Sequence, residues 1–377
     1  MNFSTSEPMV ETGSVTALRL FDVAYSIDLK LVESLWKSKG QGSAVRSALT
    51  TAPTKSLTFD VPPVLIALDP VEVIIDGASH QGIVSARIYD FGVISLSVRV
   101  PTNPMAWSSF TAFSNALDRS IGSKSQDGPW HSLLATITGC LSPAMTRPNP
   151  SPLQEDYLIP IVQKWNEPLK GSEIPERIDL IPLLSGETRA LSEKTKADLL
   201  KKSFSYYEND LVVVTWDRAF IYEPHSDSDV ADIIEVANAQ LLEFRYYDEL
   251  LDDELPRMYE MVKETRKATN FNAPRRYADL ARKLYTLVAE VTELTEKADN
   301  VLQVTEDVYL ARIYLASLEI FRVPTVSAAV DRKLSIMRDT YAALYSEASG
   351  SRGELLEIAV VVLILIEIII ALIRHTT

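Results

Sequence analysis

The alternation of apolar and polar positions changes character twice along the chain. Up to about residue 225 it is mainly strand-like. Residues 15–30 mix alternating and continuous apolar stretches, and 56–100 follow in the same style, with a turn at Asp76-Gly77. Between them Leu31–Lys39 has the spacing of a short helix, and 105–120 and 130–145 have helical spacing on either side of a polar loop. The segment 142–152, SPAMTRPNPSP, carries four prolines and reads as a linker or rigid connection between two lobes. Beyond it, DYLIPIVQKW and RIDLIPLL are predicted edge strands, 192–203 a helix, and Leu211–Tyr222 the clearest strand of the chain.

From Asp227 onward the pattern becomes almost wholly helical and is punctuated by Pro256, Pro274 and Pro324. The pattern predicts one helix to about Glu254, a second restarted at Pro256, a third from Pro274 through about Arg322, and a last one from Pro324. Leu280, Leu284, Leu287, Val291, Leu294, Ala298 and Val301 recur at alternating steps of four and three. Val330, Leu334, Met337, Tyr341, Leu344 and Ala348 repeat the rule on the last helix. Such seams need a cover, either within the chain as an αα-hairpin or bundle, or from another copy as a coiled coil.

The second change comes at Leu355. Residues 355–373 read LLEIAVVVLILIEIIIALI, 19 residues of which 15 are Leu, Ile or Val. As a helix this covers about 28 Å, close to the hydrocarbon thickness of a bilayer. Fifteen such residues favour insertion by roughly 7 kcal/mol, against about 3 kcal/mol for one central charge. Glu357 falls near the interface and Glu367 near the middle, where an ionisable group calls for protonation or a polar partner helix. The segment is therefore predicted as a transmembrane helix. With only four residues after it, and no basic amino-terminal region or early apolar run, the expectation is a single-pass, tail-anchored chain with a cytoplasmic body, at a bacterial inner membrane.

Residues 330–370 also resemble the end of the required-for-meiotic-nuclear-division family. The resemblance rests on Val330-Asp331-Arg332-Lys333-Leu334 in the seamed helix, on Leu356-Glu357-Ile358 at the entry to the span, and on Leu365-Ile366-Glu367-Ile368 within it. The family has a tryptophan where this chain has Ile358, and a His/Arg pair before the span where this chain has only Ser349–Arg352. The resemblance implies an α/β amino-terminal region, helices and one terminal span, in a non-catalytic membrane-tethered protein.

Charge sharpens the picture. Of the 377 residues 37 are Lys or Arg and 51 are Asp or Glu, a net −14, which argues against a nucleic-acid partner. A lone Cys140 excludes disulfides and cysteine-rich metal sites, and four histidines leave little for other metal chemistry. Neither cofactor nor metal is predicted. His225, Asp227 and Asp229 precede a helix and read as caps. The acids Asp248, Glu249, Asp252, Asp253 and Glu254 read as a solvated helix end, and Ser79 and His80 as part of a hairpin.

The fold predicted is α+β. A mixed-sheet N-terminal region comprises lobes 1–145 and 153–225, followed by a helical hairpin or bundle at 226–350 and a transmembrane helix at 355–373. The function predicted is a membrane-anchored adaptor or scaffold, non-catalytic, forming a homo-oligomer or binding a membrane protein. The alternative is a membrane-tethered enzyme with a site between the lobes, using Trp216, Asp217 and Arg218. Glu357 and Glu367 are the membrane and assembly residues.

Overall fold

The computed structural model describes residues 7–38, 44–46, 57–122, 128–148, 153–225, 229–267, 273–304 and 309–376. It is an α+β protein with a large mixed sheet followed by helices. The chain begins with β1 (Met9–Asp22), β2 (Ala24–Ile27), α1 (Leu29–Ser38), β3 (Ala44–Arg46) and β4 (Leu57–Phe59). Three long strands follow: β5 (Val64–Ile75), β6 (Ala78–Ile88) and β7 (Val93–Thr102). Then come β8 (Met105–Ala106), α2 (Trp107–Ile121), α3 (Trp130–Leu141), β9 (Met145–Pro148) and β10 (Gln154–Trp165). Next are α4 (Ile174–Arg177), α5 (Ile181–Ser185), α6 (Glu193–Leu200), β11 (Ser203–Phe204), β12 (Leu211–Val214) and β13 (Ala219–Tyr222). The remainder is α7 (Val230–Lys267), α8 (Ala273–Asp299), β14 (Leu302–Val304), α9 (Tyr309–Ile320) and α10 (Val323–Thr376).

Ten strands form one sheet in the order β11-β12-β13-β10-β1-β7-β6-β5-β3, with β8 paired to β1. Among the described strands only the β10–β13 pair is parallel. From Gly13 to Asp22 central β1 is buried at every position but Thr16, as a strand covered on both faces must be. Val15, Ala17 and Phe21 join Ile94, Leu96 and Val98 of β7 in a core that includes Val32 and Trp36 of α1, Phe110 and Leu117 of α2 and Ile137 of α3. The opposite face carries Arg87 of β6, whose guanidinium reaches Asp232 and Glu235 of α7 at 2.8 and 2.7 Å. Toward β5 that second face opens: Val64 and Ile66 are buried while Leu65 and Ala67 are exposed.

The division between lobes at 146–152 is not where the structure separates. β10 pairs with β1 from Val10 to Phe21, so 1–145 and 153–225 share one sheet. In the proline-rich segment β9 pairs with β2, and 149–152 lie outside the described residues. The compact units are instead Met1–Tyr246 with Lys297–Thr325, and Tyr247–Glu296 with Val326–Thr377.

Other elements also differ from the pattern. RIDLIPLL (177–184) is not a strand: Arg177 ends α4 and Ile181–Leu184 lie in α5, and Pro175 and Pro182 sit in the first turns of these helices, where proline needs no donor. Leu211–Tyr222 is a hairpin, turned where Thr215 N–H donates to the Arg218 carbonyl at 2.8 Å. Pro256 does not interrupt α7. The helix from Pro274 stops at Asp299; β14 then pairs with β4, and α9 is separate.

Candidate functional site

The seams lie in the second unit, apart from Ala298 and Val301, which belong to the first. Leu280, Leu284 and Val291 of α8 are buried, as are Val330, Leu334, Met337 and Leu344 of α10. Leu287 is only half-buried, and the neighbouring Val288 takes its place. The buried line runs Leu280, Leu284, Val288, Val291, Thr295, Ala298, five steps over 18 residues. That is the 3.6-residue period of a straight helix; a strict heptad holds only in a supercoil. Val301 is buried beyond the end of α8, off the seam, and the Leu294 side chain lies outside the described residues.

The cover is intramolecular. Arg338 donates to Thr292 Oγ1 at 2.9 Å, and the rings of Tyr285 and Tyr341 lie 5.7 Å apart. A higher number on α8 meets a lower one on α10, so the two helices run antiparallel. Lys333 of α10 lies 2.7 Å from Asp248 and 2.6 Å from Asp252, one turn apart on α7. Burial alone would lower the Lys333 pKa, but hydrogen bonds to the two aspartates outweigh it and raise the value. Two of the five acids predicted as a solvated helix end thus hold a lysine of the same unit.

Beyond the seam, the helical backbone of α10 continues through Glu357 and Glu367 to Thr376. The side chains of both glutamates lie outside the described residues. Val360, Val361, Val362, Leu363 and Ile364 are described, and each is 48–62% exposed. Five consecutive residues at 100° each pass round the whole helix, so among the described residues nothing covers any side of it here. Among the described residues no single helix is long and apolar enough to cross a membrane; of 355–373 these include the side chains of 360–364 only. α9 passes a length and composition test together with the first part of α10, but its Leu310, Ala311, Ile313 and Tyr314 are buried, as in a core helix.

The polar residues of the first unit singled out in the sequence, Arg218, Ser79 and His80, are engaged by neighbours within that unit. Arg218, beside exposed Trp216 in the β12–β13 turn, donates to Asn115, to the Leu183 carbonyl at 2.8 Å and to Asp118 at 2.7 Å. Its cation is committed to joining β13 to α2 and α5. Burial raises the Asp217 carboxyl, opposed by the Arg218 charge. Ser79 bonds Glu72, and the His80 ring packs 5.2 Å from Phe113, so the pair makes no nucleophile–base contact. Asp227 lies outside the described residues, among which no three metal-ligating side chains cluster. A cavity of about 380 Å³ lies on the open sheet face, with Ile83, Ser85, Ser97, Arg99, Arg87 and Glu235 in its lining. Burial raises the Glu235 carboxyl, partly countered by Arg87. Sequence reading missed this buried ion cluster, because partners 148 residues apart leave no local signal.

Comparison with known proteins bears on the sheet. A protein of Methanocaldococcus jannaschii, described as uncharacterized protein MJ0711, is 28% identical over 220 residues, which is 58% of this chain. The chain spans 66% of that relative's length, just under two thirds. No solved structure matches. The family model for the N-terminal domain of uncharacterized protein MJ0711 matches residues 12–229, from within β1 to the residue before α7. With more than half its length matched, the chain belongs to the family of the uncharacterized protein MJ0711 N-terminal domain.

Proposed function

We propose that this protein is a membrane-anchored adaptor. The apolar end of α10 sits in a bilayer, and the acidic sheet-and-helix body is presented at the membrane surface to a partner. One observation carries this reading: Val360–Ile364 are apolar and exposed on every side of their helix. In water such a surface is a liability, whereas in hydrocarbon it needs no cover. The resemblance of 330–370 to the required-for-meiotic-nuclear-division family lies outside the residues matched by the family model and supports the same arrangement. Because the seams of α8 and α10 cover one another, assembly falls to the span itself, where Glu367 stands near mid-bilayer. Its carboxyl group is assigned an interhelical hydrogen bond to a second copy or to a partner span.

The reading is tested by placing charge in the span. Val361→Arg with Leu363→Arg adds about 5–7 kcal/mol to insertion, which exceeds the margin left after Glu367. The double variant is expected in the soluble fraction of a membrane preparation; retention in the membrane would contradict the anchor. Glu367→Leu is expected to stay in the membrane but to crosslink less than wild type, while Glu367→Gln keeps most of the association.

A further inference from the structure

The registers of the large sheet set the side chains of its second face in rows that cross neighbouring strands. Ile83, Arg99 and Thr16 stand side by side on β6, β7 and β1. One step along, Ala67, Ser85, Ser97 and Leu18 form a row across β5, β6, β7 and β1. Leu65, Arg87 and Ser95 form the next. Successive rows are about 7 Å apart, because side chains on one face recur at every second residue. Each of these residues lines the cavity of about 380 Å³. That volume falls among those of small-molecule sites, about 300–1,000 Å³. The middle row is small at Ala67, Ser85 and Ser97, while the rows beside it carry Ile83, Arg99, Leu65 and Arg87, so the face is dished between them. On the β1 side the dish is covered, with Leu18 only 3% exposed; on the β5–β6 side it is open, with Leu65 and Ile83 at 36% and 48%.

The two ends of the dish differ in charge. Arg87 is held by Asp232 and Glu235, at 2.8 and 2.7 Å. Arg99, at the other end, is exposed and makes no ion pair or hydrogen bond with any described residue. A guanidinium at the rim of a partly apolar cavity suits a carboxylate, to which it donates two parallel hydrogen bonds. One row away, Ser85 Oγ and Ser97 Oγ lie 2.6 Å apart. Two hydroxyls carry two hydrogens and their shared bond uses one, which leaves the other for an acceptor. Nε of Arg87, also in the lining, is a further buried donor without a partner. Two acids against one arginine at that end oppose a second negative charge on whatever enters.

We propose that this cavity binds a small organic monocarboxylate with an apolar body. Its carboxylate lies on Arg99, an oxygen acceptor one row away meets the Ser85–Ser97 pair, and its apolar atoms cover Leu18, Leu65 and Ile83. The site is built from the first unit alone and stands whether or not α10 is anchored in a bilayer.

The probe for the test is 4-benzoylbenzoate, an apolar monocarboxylate with a ketone oxygen across one ring from its carboxylate. On irradiation the ketone inserts into neighbouring C–H bonds. The full chain in phosphatidylcholine vesicles is irradiated with the probe and digested, and labelled peptides are located by mass spectrometry. Label is expected on the segments that carry Leu65 and Ile83, and to fall roughly tenfold in Arg99→Gln, which changes one exposed side chain. It is expected to fall likewise in Ser85→Leu, which fills the small row and leaves Arg99 in place. Circular dichroism matching wild type checks that both variants fold. Excess benzoate is expected to compete with the probe, and inorganic phosphate is not. Unchanged label in Arg99→Gln, or label absent from β5 and β6, would overturn the site. Unchanged label in Ser85→Leu would overturn its placement in the cavity. Equal label from uncharged 4-methylbenzophenone, or equal competition by phosphate, would overturn the assignment to a carboxylate.

Discussion

A Cβ placed on Gly186 would lie 2.4 Å from Nη2 of Arg218, so the guanidinium occupies the space that a side chain at 186 would fill. Gly186 is also the left-handed residue that ends α5, at φ +64°. The arginine and the glycine together hold the β12–β13 turn against α2 and α5.

Gly186→Ala therefore meets two costs, left-handed backbone for an L residue and displacement of a buried cation from Asp118. Urea unfolding is expected to show a loss of about 2–4 kcal/mol. A loss below about 0.5 kcal/mol would mean that Arg218 can move aside freely.

In the helical unit, Leu284→Ala and Leu334→Ala are expected to cost about 2–4 kcal/mol each, because both side chains are buried between helices. Leu287→Ala, at a half-buried position, is expected to cost less than either. Equal losses at Leu284 and Leu287 would favour a true heptad seam over the straight-helix line through Val288.

Asp22 closes β1 with one carboxylate oxygen buried and without a partner. Burial raises its pKa, against a hydrogen bond from the Ala24 backbone, to about 7. The folded state therefore holds this proton more tightly than the unfolded chain. The resulting stability is full below the unfolded value near 4 and is lost as pH rises toward about 7. Asp22→Asn removes the ionisation and keeps an acceptor for Ala24. The variant is expected to match wild type near pH 4 and to exceed it at pH 8 by an amount on the order of 2–4 kcal/mol. Thermal unfolding across that range checks the sign; a gap that narrows as pH rises would contradict it.

How much of this was legible depends on the range of the interactions. α1, α2, α3, α6 and β10 are set by local patterns such as the Ser192 cap and the alternation of DYLIPIVQKW, and the sequence shows them. α4 and α5 were hidden because Pro175 and Pro182 suit an edge strand as well as a first helical turn. The single sheet was hidden because β1 and β10 pair across more than 130 residues, past a proline-rich stretch that looks like a boundary. β14 has only three residues and takes its identity from β4. Of the candidate site, the seams and the apolar segment are written in periodicity and composition. The buried Arg87–Glu235 and Arg218–Asp118 pairs exist only once the strands and helices are packed together.

The claim on which the functional reading stands is that 355–373 holds this protein in a bilayer, and carbonate extraction of native membranes tests it most directly. The full chain is expected to remain in the pellet, and a chain ended after Ser351 to move to the supernatant with its circular dichroism and cooperative unfolding intact. A shortened chain that still pellets, or a full chain that washes free, would contradict it.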